Sequence, residues 1–425
     1  MFLCSTFIFL VASLLIVSSA LASVRVAASC NGPDVQTQIN ASVDGDIVEI
    51  PAGTCTWTAN VIVSNKALTL RGVGIGSTVI IDAIDKSQEF PIYSNPITLD
   101  TVVGKFVRVT ALTIRGSTCI GCAPFINDPF GVGGIRVDGL AKTWRIDHVH
   151  FDRLFTVGVH VLGHTYGVID HNIFDTRVSS AVLVNHNTWN GGFSGDGSWA
   201  DDSFFGTDKA VYVENNIMTQ DPPPAHLDAM IDGQAGGRVV FRYNKVTNAS
   251  TIFHGTDGTG RDRGFRTFEI YNNAIHDNEG LHPSGIRTRG GTGPIYNNTI
   301  TGNFGVGLDG IVFRAIYADP IFGICNGSSV WDGNAGPPAG YPCMDQPGRG
   351  KSILISGSPP TPVGWVQNIV EPVYVWNNTF NGVAANLIPD PSTASYFVSG
   401  RDFFNNTVKP GYTAFTYPHP LTCGC

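Results

Sequence analysis

The hexapeptides IYNNAI (270–275) and IYNNTI (295–300) differ at a single position and lie 25 residues apart, and the fold follows from what else matches them. The same pattern recurs as VTALTI (109–114), IDHVHF (146–151), IDHNIF (169–174), VENNIM (213–218), FRYNKV (241–246), VWNNTF (375–380) and FFNNTV (403–408). Its first and sixth positions are apolar in every copy. The fourth is asparagine in seven of nine: Asn172, Asn216, Asn244, Asn273, Asn298, Asn378 and Asn406. Successive copies start 37, 23, 44, 28, 29, 25, 80 and 28 residues apart. The short steps suit one turn of a solenoid, and the long ones suit turns that carry inserted loops or missed copies.

Parallel strands of successive turns stack ~4.8 Å apart. The first and sixth positions would then face a continuous core. The asparagines would stack amide on amide, satisfying one another inside a bend. The expected fold class is all-β, a single-stranded right-handed parallel β-helix (solenoid) with an asparagine ladder and an N-terminal cap. Composition agrees. Charged residues are 14% of the chain, against about 25% in an average globular protein, and glycine reaches 50 residues. The 43% hydrophobic content is ample for a core. With 26 basic against 34 acidic residues the net charge is −8, which argues against non-specific nucleic-acid binding. An anionic substrate would need a local basic patch.

Phe2 to Ala22 is almost wholly apolar and ends in Ala20-Leu21-Ala22, the pattern of a secretory signal peptide, with an uncleaved anchor as the alternative. The expected organisation is a signal peptide over 1–22 and one β-helix domain over 23–425, with a loop excursion at about 320–350. A secreted, extracellular monomer without stable membrane association follows. Cys30, Cys55, Cys119, Cys122, Cys325, Cys343, Cys423 and Cys425 remain after cleavage. Nearest-neighbour pairing gives Cys30–Cys55, Cys119–Cys122 and Cys325–Cys343. Of six N-x-S/T sequons (Asn40, Asn248, Asn297, Asn326, Asn377, Asn405), those at Asn297, Asn377 and Asn405 are assigned to the scaffold.

The second position of the repeat alternates with the inward first position and should point outward. That column runs Thr110, Asp147, Asp170, Glu214, Arg242, Tyr271, Tyr296, Trp376 and Phe404. Three stacked carboxylates repel one another unless a cation intervenes, so Asp147, Asp170 and Glu214 form a candidate Ca²⁺ site. Arg242 with Tyr271, Tyr296 and Trp376 would make a substrate-binding platform for sugar rings.

The opening DVQTQINASVDGDIVEIPAGTCTW (34–57) and the strand WRIDHVHF (144–151) resemble the pectate-lyase-like superfamily of right-handed parallel β-helices. This resemblance covers the chain from about Asp34 to Val408. It implies a calcium ligand at Asp147 and β-elimination on an acidic (uronate) polysaccharide, with an arginine as base. LHPSGIRTRGG (281–291) resembles the segment bearing that arginine, which nominates Arg287 and Arg289 as catalytic. The preceding loop, HGTDGTGRDRG (254–264), supplies His254 as acid or base, while Arg261, Arg263 and Arg266 would grip substrate carboxylates. The bland alternative is a glycine-rich turn closed by Asp257 and Asp262 with arginines. ADDS (200–203), FHGTDG (253–258) and GIRTR (285–289) echo the order of elements in polygalacturonase-like hydrolases, the competing enzyme class. A non-catalytic polysaccharide-binding or surface-structural β-helix is the third possibility.

Overall fold

The computed structural model describes residues 22–84, 95–116, 134–154, 157–176, 180–220, 229–257, 261–333, 336–357, 359–362 and 368–423. The signal segment, Cys119, Cys122 and Cys425 lie outside the described residues. The described chain winds as the expected right-handed parallel β-helix. One sheet of 21 strands and one of 10 run along it, and almost every pairing is parallel. Among the described residues no helix is long and apolar enough to cross a membrane.

The hexapeptide register holds for eight copies. Val109, Ile146, Ile169, Val213, Phe241, Ile270, Ile295 and Val375 stack as rung partners and are buried. Sixth positions stack behind them, from Ile114 through Phe151, Phe174, Met218, Val246 and Ile275 to Ile300. Phe151 and Phe174 lie face to face at 4.5 Å.

Between these layers the chain turns a corner, and the doubled asparagines divide the work there. The third position is left-handed at every rung: Ala111, His148, His171, Asn215, Tyr243, Asn272, Asn297 and Asn377 have φ between 51° and 59°. Asparagine adopts that conformation more readily than most residues. The fourth position then points inward. Asn172 donates from Nδ2 to Asn216 Oδ1 (3.0 Å), and the chain of amides continues through Asn244, Asn273 and Asn298 to Asn378. Each acceptor oxygen also receives the backbone N–H of the preceding rung's asparagine.

The last copy departs from expectation. Phe403 pairs with Val373, and Asn405 with Val375, a slip of two residues. Asn406 therefore falls outside the ladder, Phe404 leaves the outer column, and Val408 is exposed. The sequons are corrected too. The ladder uses Asn298 and Asn378, so Asn297 and Asn377 stand exposed at the corner.

The second sheet stacks Val61–Ser64, Ile97–Thr101, Ile135–Gly139, Val159–Val161, Val182–Asn185, Ala229–Gln234, Ser250–Phe253, Ser284–Thr288, Val306–Gly310 and Leu387–Pro389. An α-helix, Gly32–Ala41, buries Val35 and Ile39 against the first turn. Its Gln36 side chain accepts from Ile62 N and donates to Ile62 O, capping that edge. Cys30–Cys55 and Cys325–Cys343 are disulfide-bonded as expected.

Candidate active site

The outer column of the asparagine sheet has the predicted order. Thr110, Asp147, Asp170, Glu214, Arg242, Tyr271, Tyr296 and Trp376 are successive rung partners. It is not open to substrate, because the C-terminal residues lie over it. Arg242 donates to Phe415 O and Thr416 O (both 2.9 Å), His419 N donates to Glu214 Oε1 (2.9 Å), and Arg145 donates to Thr422 O (3.2 Å). Tyr417 stacks on Tyr243, while Tyr412 meets Tyr296 and Trp376 edge-on. The expected sugar platform of Tyr271, Tyr296 and Trp376 is thus packed into a second apolar cluster with Tyr412, Phe415 and Leu421.

The acids of that column are matched by arginines rather than gathered around a cavity. Arg108 grips Asp147 (2.6 Å through both Nε and Nη2), Arg145 grips Asp170 (2.8 and 2.7 Å), and Arg242 grips Glu214 (2.6 Å). Among the described residues no three His, Cys, Asp or Glu side chains assemble to hold a metal ion. At the expected calcium site of Asp147, Asp170 and Glu214, guanidinium groups supply the compensating charge that stacked carboxylates need.

Arg263 and Arg266, expected to grip substrate, are buried staples. Three insertions leave the same corner of the solenoid, at about 186–209, 254–266 and 311–372. Arg263 joins all three, reaching Asp345 (2.8 and 2.9 Å) and Asp196 (2.6 Å). Arg266 bonds Glu371 (3.0 Å) and Asp201 O (3.3 Å), and Trp199 Nε1 donates to Gly264 O (2.6 Å). Asp345 is therefore structural. Arg261 stays half-buried, its guanidinium 3.5 Å above the exposed Phe193 ring.

The remaining candidates converge on the outer face of the second sheet. Leu183 pairs with Asp232, Ile252 with Arg287, and Arg287 with Asp309, so alternation turns Asp232, Arg287 and Asp309 outward. Two residues beyond Ile252 and Arg287 come His254 and Arg289. His254 bridges two carboxylates, with Nε2 3.3 Å from Asp232 and Nδ1 3.5 Å from Asp257. Arg289 Nε donates to Asp257 (2.7 Å), and Arg287 Nε sits 3.0 Å from both oxygens of Asp309. Arg289 also covers the Phe313 ring at 4.1 Å.

Burial and Arg289 oppose a charge on His254, but Asp232 and Asp257 outweigh them and hold the imidazole up at about 9. Burial would raise the Asp257 carboxyl, yet Arg289 and His254 hold it well below the ordinary range. Asp232 is the open member. Its Oδ1 accepts from Gly233 N (2.6 Å), its Oδ2 has no protein partner among the described residues, and its side chain is 23% exposed.

Sequence reading named His254, Arg287 and Arg289 as catalytic but not Asp232, Asp257 or Asp309. The missing signal is register. From ladder asparagine to outer column the chain takes 11 residues (Asn172 to Leu183), 16 (Asn216 to Asp232), 8 (Asn244 to Ile252), 14 (Asn273 to Arg287) and 11 (Asn298 to Asp309). No fixed spacing marks this face.

No protein-family model matches the sequence, and no curated protein sequence does. Among solved structures the chain is similar to the family 28 exopolygalacturonase of Yersinia enterocolitica (13% identity, 65% of each chain covered, TM-score 0.36). It is also similar to the catalytic domain of the GH87 alpha-1,3-glucanase in complex with nigerose (11% identity, 92% of this chain and 68% of that one, TM-score 0.32). A third is ORF18 of Geobacillus virus E2 (13% identity, 65% and 56%, TM-score 0.30). The chain thus spans under two thirds of the exopolygalacturonase and little over half of the virus protein.

Proposed function

We propose that this β-helix is a carbohydrate-active enzyme that hydrolyses a glycosidic bond on the outer face of its second sheet. Asp232 carries the proposal: it offers a carboxylate oxygen without a partner among the described residues, beside a charged imidazole. Acid–base cleavage needs one group that takes a proton and one that gives it. In this assignment Asp232 activates water and His254 protonates the leaving oxygen. Asp257 and Arg289 hold the imidazole in place. Two exposed rings suit the apolar faces of sugar rings: Phe193 under Arg261, and Tyr317 stacked on the Phe313 ring that Arg289 covers. Arg263, Arg266, Arg287 and Arg289 are each matched by a carboxylate, so the charge balance favours a neutral polysaccharide over the uronate expected from sequence. Two disulfides fit an oxidising, extracellular setting.

Uronate lyase activity is the second reading, favoured by Arg287 and Arg289 flanking a group able to abstract a proton. A paired, charged arginine is a poor base, so Asp232 takes that part here as well. Purified protein incubated with neutral and uronate polysaccharides separates the two. New reducing ends without unsaturated product, abolished in Asp232→Asn, are expected. Unsaturated product would establish the lyase instead. Neither product across the panel, with glycan binding retained, would leave a binding module.

A further inference from the structure

His148 and His171 occupy the third position of adjacent rungs, where the backbone is left-handed at φ 51° and 54°. Four other rungs use asparagine there, at 215, 272, 297 and 377, and asparagine is the residue that this conformation favours. Histidine, like asparagine, is enriched in the left-handed region, so the backbone admits both, and what sets these two histidines apart is what their side chains meet.

Their side chains are arranged alike. His148 Nδ1 lies 2.7 Å from Asp147 Oδ2, and His171 Nδ1 lies 2.7 Å from Asp170 Oδ2. Both carboxylates also accept from arginines, which fix their position. An imidazole that donates Nδ1–H to a carboxylate keeps its proton there and presents a bare Nε2 lone pair. The rings are parallel to within 4°, their centroids 5.5 Å apart, and the side chains are 55% and 47% exposed. Both rings are therefore about half-exposed, side by side at the corner of the asparagine sheet.

Carboxylate, then histidine, then metal is the arrangement that orients imidazole ligands and raises their basicity. We propose that His148 and His171 form a two-imidazole site for a borderline divalent transition ion such as Zn²⁺, Ni²⁺ or Cu²⁺, with Asp147 and Asp170 as orienting groups. Water completes the coordination. Imidazole nitrogen selects these ions over Ca²⁺, which demands oxygen ligands. One ion at ~2.1 Å from each nitrogen needs the two Nε2 atoms roughly 3.4 Å apart. The parallel rings stand 5.5 Å apart, so the site requires them to tilt toward each other when the ion binds.

The fold itself supplies the control substitution, because asparagine already stands at the equivalent place in four rungs. Cu²⁺ and Zn²⁺ titrations of the full chain, His148→Asn and His171→Asn, followed by calorimetry and by Cu²⁺ electron paramagnetic resonance, test the site. The wild type should bind one ion with nitrogen superhyperfine coupling from two imidazoles. Each single variant should lose affinity at least about tenfold while its Tm without metal stays level or rises. Equal binding by the wild type and both variants, or no binding by the wild type, would overturn the site. Neither result bears on glycan cleavage at Asp232.

Discussion

Glu214 and Arg242 are partners on adjacent turns, bonded at 2.6 Å, and both side chains are fully buried although the strand register points them away from the core. What buries them is the chain's own C-terminal segment. Arg242 spans the joint, reaching Glu214, the Tyr271 hydroxyl and two tail carbonyls. Replacing one partner of such a pair leaves an unpaired charge in low dielectric. Arg242→Met should therefore cost about 3–5 kcal/mol in urea unfolding. The double change Arg242→Met with Glu214→Gln should recover part of that. A loss below about 1 kcal/mol in the single variant would show that the tail does not seal the pair.

Glu269 lies in the same seal, accepting from Gly206 N (2.8 Å) and the Tyr412 hydroxyl (2.5 Å). Burial outweighs those hydrogen bonds and lifts its carboxyl from 4.5 to about 7. A raised folded-state value means that the folded chain holds the proton more tightly. The associated stability is complete below about pH 4.5 and lost as pH rises to about 7, for a total of roughly 3 kcal/mol. Glu269→Gln should flatten the Tm profile over that window and stabilise the protein at pH 8. An unchanged slope would disprove the assignment.

His254 has the opposite ordinary charge but the same sign of linkage. With its imidazole at about 9, the stabilisation from Asp232 and Asp257 is fully present below about 6.5 and disappears as pH climbs through 9. NMR titration should find the His254 resonance near 9, and Asp257→Asn should move it down toward 6.5. Cleavage should decline over the same alkaline limb. A His254 midpoint near 6.5 in the wild type would remove the proposed proton donor at neutral pH.

The two asparagines of one repeat should respond differently. Asn273→Ala orphans donors and acceptors on both neighbouring rungs, at a cost of about 1–3 kcal/mol. Asn272→Gly relieves a left-handed residue at a half-buried corner and should stay within about 0.5 kcal/mol of wild type. Thermal unfolding of the pair measures the contrast, and equal effects would contradict the ladder.

The scaffold was legible because one physical requirement repeats in every turn. IDHVHF, VENNIM and IYNNTI all need an apolar first residue, a left-handed third and a core-facing sixth. The column through Asp147, Glu214 and Tyr271 could be read in order for that reason. Its burial could not. Nothing local to Tyr271 or Arg242 announces that residues 412–422, more than 140 positions onward, will cover them. The charges of Arg263 and Arg266 looked like a substrate grip because their partners Asp196, Asp345 and Glu371 sit in other insertions. The shared face of Asp232 and Asp309 could not be read where turn lengths vary, so the periodicity that fixes one sheet says little about the other.

The tail also sets an order of events for the newborn chain. Nearly every strand contact joins a rung to the next, so turns can stack as they leave the ribosome. The bonds from His419 to Glu214 and from Arg145 to Thr422 instead span 205 and 277 residues. Until residues 412–422 have been made, the acid and aromatic column stands bare to any passing chaperone or neighbouring chain. A polypeptide lacking those residues would keep its coil and never close that face.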